Sequence, residues 1–471
     1  MKGYGTEGNL NQHIKLKHPG WAPPSSKRRR LNDQENAQQI AQKTREMRIQ
    51  LSLQGGAPKQ ILRKSDVKIT DLPTEALKNV FKFLPVTKLN DLRTVNRAWN
   101  EAIEVTFSEL QSLSLTLHPG EDNKKYVMTI LSHSPNLKHL TVTTKRAMLT
   151  DEILEAVGEC SQKLQSLRLC PPKLSSSYSD YGLKCVLNSC TSLTRLVLEE
   201  SSQLKRFVAE SSSLEVLHMN GCSHLEETEL KFPQLRELAL NLISAEGVQL
   251  YAPPENVCAA LCSGCFRYCN NVERVFLSGS YFSNDCLARI GSHCNNVKVL
   301  QCLNSHIVSD DGVTHIIKSF PQLYYLDLAN TPCLTNNALT QLGSWAAEGG
   351  PLRYLFLPMC PNLRGNPSAI LNKCTKLKVL DLGRCTNLSS IDLNLPQLEK
   401  LSLWGCGGLE RLQLDCISLK DLNMNECKKL QEANIRAPML RELFMMITKK
   451  KTQQLVHRQV DHLPHLIFYA M

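Results

Sequence analysis

Long hydrophobic runs are missing from this 471-residue chain. No apolar stretch approaches the roughly 18 residues of a membrane-spanning helix, so no membrane partner is expected. Aromatic residues make up only 6% of the chain, and no cysteine precedes Cys160 or follows Cys427. There is no P-loop, no G-x-S-x-G nucleophile turn and no H-E-x-x-H zinc motif, so the chain is not expected to be an enzyme by itself. His133 and His139 are not spaced with any nucleophile and are read as surface residues. No cofactor and no resident metal are expected.

Acidic residues are scarce at the start. Residues 1–65 hold seven lysines and six arginines against one aspartate and three glutamates, which is most of the formal net charge of +11. The rest of the chain is nearly neutral, so its basic pI is no argument for nucleic acid as a partner of the folded part. The arm reads as disordered. Its run Lys27, Arg28, Arg29 and Arg30 is either a nuclear-import signal or a solvated stretch, and the expected location is cytoplasmic, nuclear or both. Leu10, His13 and His18 are similar to the second half of a two-cysteine two-histidine zinc finger. No upstream cysteines complete that site. Either the knuckle has been lost upstream or the likeness is chance.

What the chain does have is a ruler of leucines. Leu377, Leu388, Leu398, Leu409, Leu419, Leu430 and Leu440 are spaced 11 and 10 residues apart in strict alternation, each opening a phrase of the form L-x-x-L-x-L or a close variant of it. A fixed period of this kind is a coil that winds repeatedly, its leucines stacking into one continuous core. The phrase recurs at longer steps from Leu110 through Leu137 and Leu164 to Leu193, and from Val272 through Val297, Leu323 and Leu352 to Leu377. A second compact block runs from Leu193 to Leu235. In the long coils the return leg carries helix-like segments such as Leu149 to Glu159 and Asn284 to His293, with apolar spacings of three and four. The compact coils have no room for a helix, so their second leg should be extended. The expected fold is an α/β leucine-rich-repeat horseshoe of about 14 coils, mixing helix-bearing and all-strand repeats.

Nine of the nineteen cysteines sit at two repeat positions. Cys190, Cys269, Cys294 and Cys374 fall three residues before a phrase opens, whereas Cys222, Cys360, Cys385, Cys406 and Cys427 fall three after one ends. Small buried thiols suit crowded corners, so these are read as core residues. Cys262, Cys265 and Cys269 have half a metal-site spacing, yet that spacing is also one face of a helix. An odd cysteine count argues for a reducing compartment.

Before the coils lies a different segment, Ile69 to Glu104, whose apolar residues at spacings of three and four write two or three short amphipathic helices. It is too small to bury much of a core alone and should share its apolar surface with a partner. Leu72, Pro73, Leu77, Val80, Leu84, Leu89, Leu92, Val95 and Trp99 fall on the pattern of an F-box, which this segment resembles; Asn96 stands where many members have cysteine. With the coils that follow, the match to the F-box leucine-rich-repeat proteins covers about residues 69 to 445. The resemblance implies a substrate receptor of an SCF-type cullin-RING ubiquitin ligase. Those nine residues would bind the Skp adaptor, which brings the cullin and RING subunits, and the coils would hold a protein substrate for ubiquitination and degradation. The alternative is a ligase-independent leucine-rich-repeat interaction scaffold, nuclear or linked to nucleic acid through the N-terminal segment. Four regions result: the arm 1–65, the F-box 66–107, the repeats 108–447 and a tail 448–471.

Along each phrase the third, fifth and seventh positions face the concave side. In the C-terminal half they carry Arg274, Phe276, Tyr325, Asp327, Tyr354, Phe356 and Trp404, the residue types of interface hot spots, and these are the candidate substrate-binding residues. The tail from Gln453 to Met471 is the competing occupant, since it could fold back over the aromatics.

Overall fold

The computed structural model describes residues 72–469 except 85, 121, 146, 172–177, 243–254, 280–281, 447–449, 461 and 464. The arm 1–65, with Lys27 to Arg30 and the Leu10, His13 and His18 segment, lies outside the described residues. The chain divides into two compact units, Met1–Leu77 and Lys78–Met471.

In the first unit Leu72 and Pro73 lead into helix α1 (Thr74–Phe81). The Pro73 carbonyl accepts from the amides of Ala76 and Leu77 at 2.9 and 3.0 Å, so proline stands at the helix start, where a missing amide hydrogen costs nothing. The second unit continues through α2 (Val86–Leu92) and α3 (Arg97–Ser108). Asn96 caps α3, its side chain accepting from the Trp99 amide at 2.9 Å, which gives this departure from the F-box pattern a structural use. Trp99 meets Phe81 edge-on at 5.3 Å.

The coils follow in alternating blocks. In the first helix-backed block β1 (Ser112–Leu117), β2 (His139–Thr144) and β3 (Ser166–Cys170) alternate with α4 (Asn123–Ser132), α5 (Asp151–Cys160) and α6 (Asp180–Ser189). The first compact block has strands only: β4 (Arg195–Glu199), β5 (Arg206–Glu210), β6 (Val216–Asn220), β7 (Glu227–Lys231) and β8 (Glu237–Asn241). Helices return with α7 (Glu255–Phe266), α8 (Asn284–His293), α9 (Asp310–Ser319), α10 (Asn336–Ala347) and the single turn α11 (Ser368–Leu371). They alternate with β9 (Arg274–Ser278), β10 (Val299–Leu303), β11 (Tyr325–Asp327), β12 (Tyr354–Phe356) and β13 (Val379–Asp381). The last compact block comprises β14 (Ser390–Leu393), β15 (Lys400–Ser402), β16 (Arg411–Asp415), β17 (Asp421–Asn423), β18 (Glu432–Arg436) and β19 (Glu442–Phe444). The tail forms α12 (Lys450–Val460) and β20 (Ile467–Tyr469).

Every strand that opens a coil joins one parallel sheet of 15, in the order β1-β2-β3-β4-β6-β8-β9-β10-β11-β12-β13-β15-β17-β19-β20. The compact second legs pair separately as β5-β7 and β14-β16-β18, the extended return expected from their length. The tail supplies the fifteenth strand: β20 pairs with β19, and Tyr469 stacks on Phe444 at 4.4 Å. The described residues of the tail thus extend the sheet at β19, and β20 does not pair with the strands that carry Phe276, Tyr325, Tyr354 and Phe356.

Two corner devices repeat with the coils. Glu200, Asn304, Asn330, Met359, Arg384 and Glu426 adopt φ between 51° and 61°, and Gly221 and Gly405 hold the same corner at 72° and 71°. Each turns its amide to the next coil, as Met359 does to the Gly383 carbonyl at 2.7 Å and Gly405 to that of Asn425 at 2.8 Å. The thiols form a second file. Cys385, Cys406 and Cys427 donate to the carbonyls of Leu357, Leu382 and Leu403 in the preceding coil at 3.1, 3.1 and 3.2 Å. Burial pushes the Cys427 thiol up to about 12, so it keeps the proton it donates. The other cysteine position behaves alike, Cys190 donating to Ser161 and Cys294 to Cys269 at 3.3 and 3.2 Å. Cys262, Cys265 and Cys269 turn into this same core: Cys265 bonds Thr228 and Cys269 the Leu230 carbonyl, at 3.5 and 3.6 Å.

Candidate functional site

Two surfaces carry the candidate residues. On the helical head, Leu77, Leu89 and Trp99 are buried, so the chain by itself does not present them as open adaptor contacts. Leu72, Leu84 and Leu92 are half-buried and Pro73 is exposed. Val80 and Val95 keep 43% and 50% of their surface in solvent, and Phe83, which the F-box pattern passed over, keeps 63%. Phe83 lies one turn past Val80 just after α1, and that spacing was the available clue. His133 is less exposed than a free surface side chain. It is half-buried at the end of α4, with Nε2 2.9 Å from Arg93 Nη2 and Nδ1 2.5 Å from the Thr129 carbonyl, and Arg93 also pairs with Glu104.

The open face of the sheet is laid out by strict register. Glu237, Arg274, Val299, Tyr325, Tyr354 and Val379 stand side by side in one row, and Ala239, Phe276, Gln301, Asp327, Phe356 and Asp381 in the next. Val299, Tyr325 and Phe356 form a buried cluster, with Phe276, Tyr354 and Val379 packed against it. The Tyr325 ring centre lies 5.9 Å from that of Tyr354 and 5.2 Å from that of Phe356. Exposure falls to 6% at Tyr325, 0% at Asp327 and 1% at Phe356, so these three are not the exposed anchors expected of them. Large rings at the same register of adjacent parallel strands cover one another, and alternation within one strand does not reveal that. Asp327 has structural work: Oδ1 accepts from the Ala329 amide at 3.2 Å and Oδ2 from Gln301 at 3.0 Å. Trp404 sits in the turn after β15 with the Arg384 guanidinium 4.3 Å over its ring. Arg274 is exposed, and Phe276, Tyr354 and Trp404 are half-buried.

Sequence reasoning missed the partners of Arg274. Its Nε donates to Glu237 Oε2 at 2.6 Å, and Glu237 Oε1 lies 2.6 Å from His218 Nε2. Burial would raise the Glu237 carboxyl, but the bonds and charges of His218 and Arg274 override it and hold the group at about 2. The clue was positional: His218, Glu237 and Arg274 all occupy third or fifth places in consecutive phrases of the sheet.

An open parallel sheet wound from leucine phrases, preceded by three short helices with exposed apolar side chains, defines a leucine-rich-repeat protein with a helical head. Residues 69–105 match the F-box domain family. The F-box/LRR-repeat protein 17 of Arabidopsis thaliana is 23% identical over 307 residues, covering 55% of this chain and 51% of the relative. The chain therefore spans about half the length of that curated relative. Among solved structures, a chain of the Rad7 and Elc1 complex in yeast is similar at 12% identity and a TM-score of 0.41, covering 95% of this chain and 98% of that one. A chain of the TLR13–ssRNA13 complex is similar at 15% identity and a TM-score of 0.37, over 73% of this chain and 52% of that one. The chain thus carries an F-box at residues 69–105 and is similar over about half its length to an F-box/LRR-repeat protein.

Proposed function

We propose that the chain is the substrate-recognition subunit of an SCF-type cullin-RING ubiquitin ligase. The F-box engages the Skp adaptor, and through it the cullin and RING subunits, while the open face of the sheet holds a protein substrate for ubiquitination and proteasomal degradation. The observation that carries this reading is the F-box match at 69–105 on helices that leave Val80, Phe83 and Val95 in solvent. Exposed apolar residues gathered on so small a unit call for a partner surface.

The test is co-elution of the purified full chain with recombinant Skp adaptor, beside a Phe83→Asp, Val95→Asp double variant. Co-elution of the wild type and its loss in the variant support the receptor reading. Failure of the wild type to bind overturns it and leaves an interaction scaffold with an F-box-like head.

A further inference from the structure

Arg274 is held as a side chain is held when its direction matters. Nε is committed to Glu237, which is itself 8% exposed and anchored on its other oxygen by His218. The Nη1 and Nη2 nitrogens form no hydrogen bond with any described residue, and the side chain stays 44% exposed on the open face. Phe276, two residues along the same strand, offers a half-buried ring on the same face. At the end of the row Arg236, Asn271, Glu273, Asn296 and Lys298 line a polar groove of about 350 Å³.

The charges of this region mostly cancel. Glu237 pairs with Arg274, and Glu273 with Lys298 at 3.2 Å, leaving the exposed Arg236 without an ion-pair partner among the described residues. Leaving His218 aside, one positive charge remains. That suits a single carboxylate, which a guanidinium edge meets with two parallel donors, better than a phosphate dianion, which asks for clustered arginines.

We propose that Arg274, oriented by Glu237 and His218 and backed by Arg236, recognises an Asp or Glu side chain of a bound protein segment, with an apolar neighbour of that residue resting on Phe276. Arg274 is the contact and Glu237 a positioning residue. The inference rests on the reading of the open face as the substrate surface, and it names the class of substrate: an extended segment carrying an acidic residue beside an apolar one.

The probe is an array of degenerate nine-residue peptides with a central Glu, Gln, Lys or phosphoserine, read with the full chain. A charge-assisted paired contact should favour Glu over Gln about tenfold or more. Arg274→Gln should abolish that preference. Arg274→Lys should keep only part of it, because the paired donor edge is lost while the charge stays. Arg289→Gln, on α8 away from the open face, should leave it intact, and all variants should still bind the adaptor. If Arg274→Gln does not fold, Arg236→Gln serves in its place and should weaken the preference several-fold. Equal binding of Glu and Gln peptides by the wild type, an unchanged preference in Arg274→Gln, or stronger binding of phosphoserine than of Glu overturns the proposal. Loss of adaptor binding by the wild type would instead sink the ligase reading without touching the peptide preference.

Discussion

The helix-backed and the compact coils build the same open face from different backs. β11 and β15 are both three-residue strands of one parallel sheet, yet the coil of β11 returns through the twelve-residue helix α10 and that of β15 through strand β16. The face is set by the phrase and the back by the length left over. A helix advances about 1.5 Å per residue and a strand about 3.3 Å, so a short return can cross the coil only in extended form.

Excision separates the two kinds most sharply. Removing residues 388–408, one compact coil, joins Asn387 to Leu409 and restores the phrase in place, so the protein should fold with one fewer coil and lose only about one coil interface, a few kcal/mol. Removing 21 residues from 323 to 343 deletes β11 and cuts α10 within its length, so that its stump follows α9 with no strand between them, and cooperative unfolding should disappear. Circular dichroism melts of both deletions decide it. Two deletions that melt alike would mean that the return legs contribute nothing specific.

The junction between the blocks comes next. Helix α7 packs on β7, and a Cβ built at Gly264 would stand 1.8 Å from the Thr228 carbonyl oxygen. Since backbone would have to move, Gly264→Ala should cost about 3 kcal/mol, at the upper end for an overpacked site. Gly407→Ala, whose Cβ meets nothing within 4 Å, should cost less than 1 kcal/mol in the compact block. Urea midpoints of the pair compare a seam between coil types with a corner inside one.

The same seam carries the Glu237 ion pairs, since β8 ends the first compact block and β9 opens the next. The carboxyl is lowered from 4.5 to about 2 in the folded chain, so its contribution is complete above about 4.5 and lost as pH falls through 2. A shift of that size is about 3 kcal/mol. Glu237→Gln should be less stable than wild type at pH 7, and the gap should close between pH 4.5 and 2. A gap of constant size across that window would show that packing, not charge, is what the substitution removes.

Period and composition made much of this legible before any coordinates. The phrase positions Leu377, Leu380 and Leu382 are all buried, and the helix expected at Asn284 to His293 is α8. What escaped was whatever depends on neighbouring coils. Tyr325 and Phe356 look outward by alternation within their own strands and are covered by rings one coil away. Glu237 is distant from Arg274 in sequence and adjacent in the sheet, because the interrupted ruler between Leu235 and Val272 hides the register. Leu77, Leu89 and Trp99 show the same limit: the helical period marks an apolar side but does not say which of its residues are already buried without a partner.

The smallest effect belongs to a feature that the two coil types share. Cys406 of a compact coil donates to the Leu382 carbonyl and Cys190 of a helix-backed one to that of Ser161, at 3.1 and 3.3 Å. In both cases the carbonyl also accepts a backbone amide, from Cys385 at 3.1 Å and from Leu164 at 3.0 Å. Removing the thiol therefore orphans no acceptor, and Cys406→Ala and Cys190→Ala should each cost only about 1–2 kcal/mol, most of it from the small void. Serine would restore a donor without the sulfur's volume. If Cys406→Ser recovers stability over Cys406→Ala while Cys190→Ser does not, the corner bond matters only where strands form the back; equal recovery would make the corner independent of the return leg, which is the outcome that matching geometry at the two sites predicts.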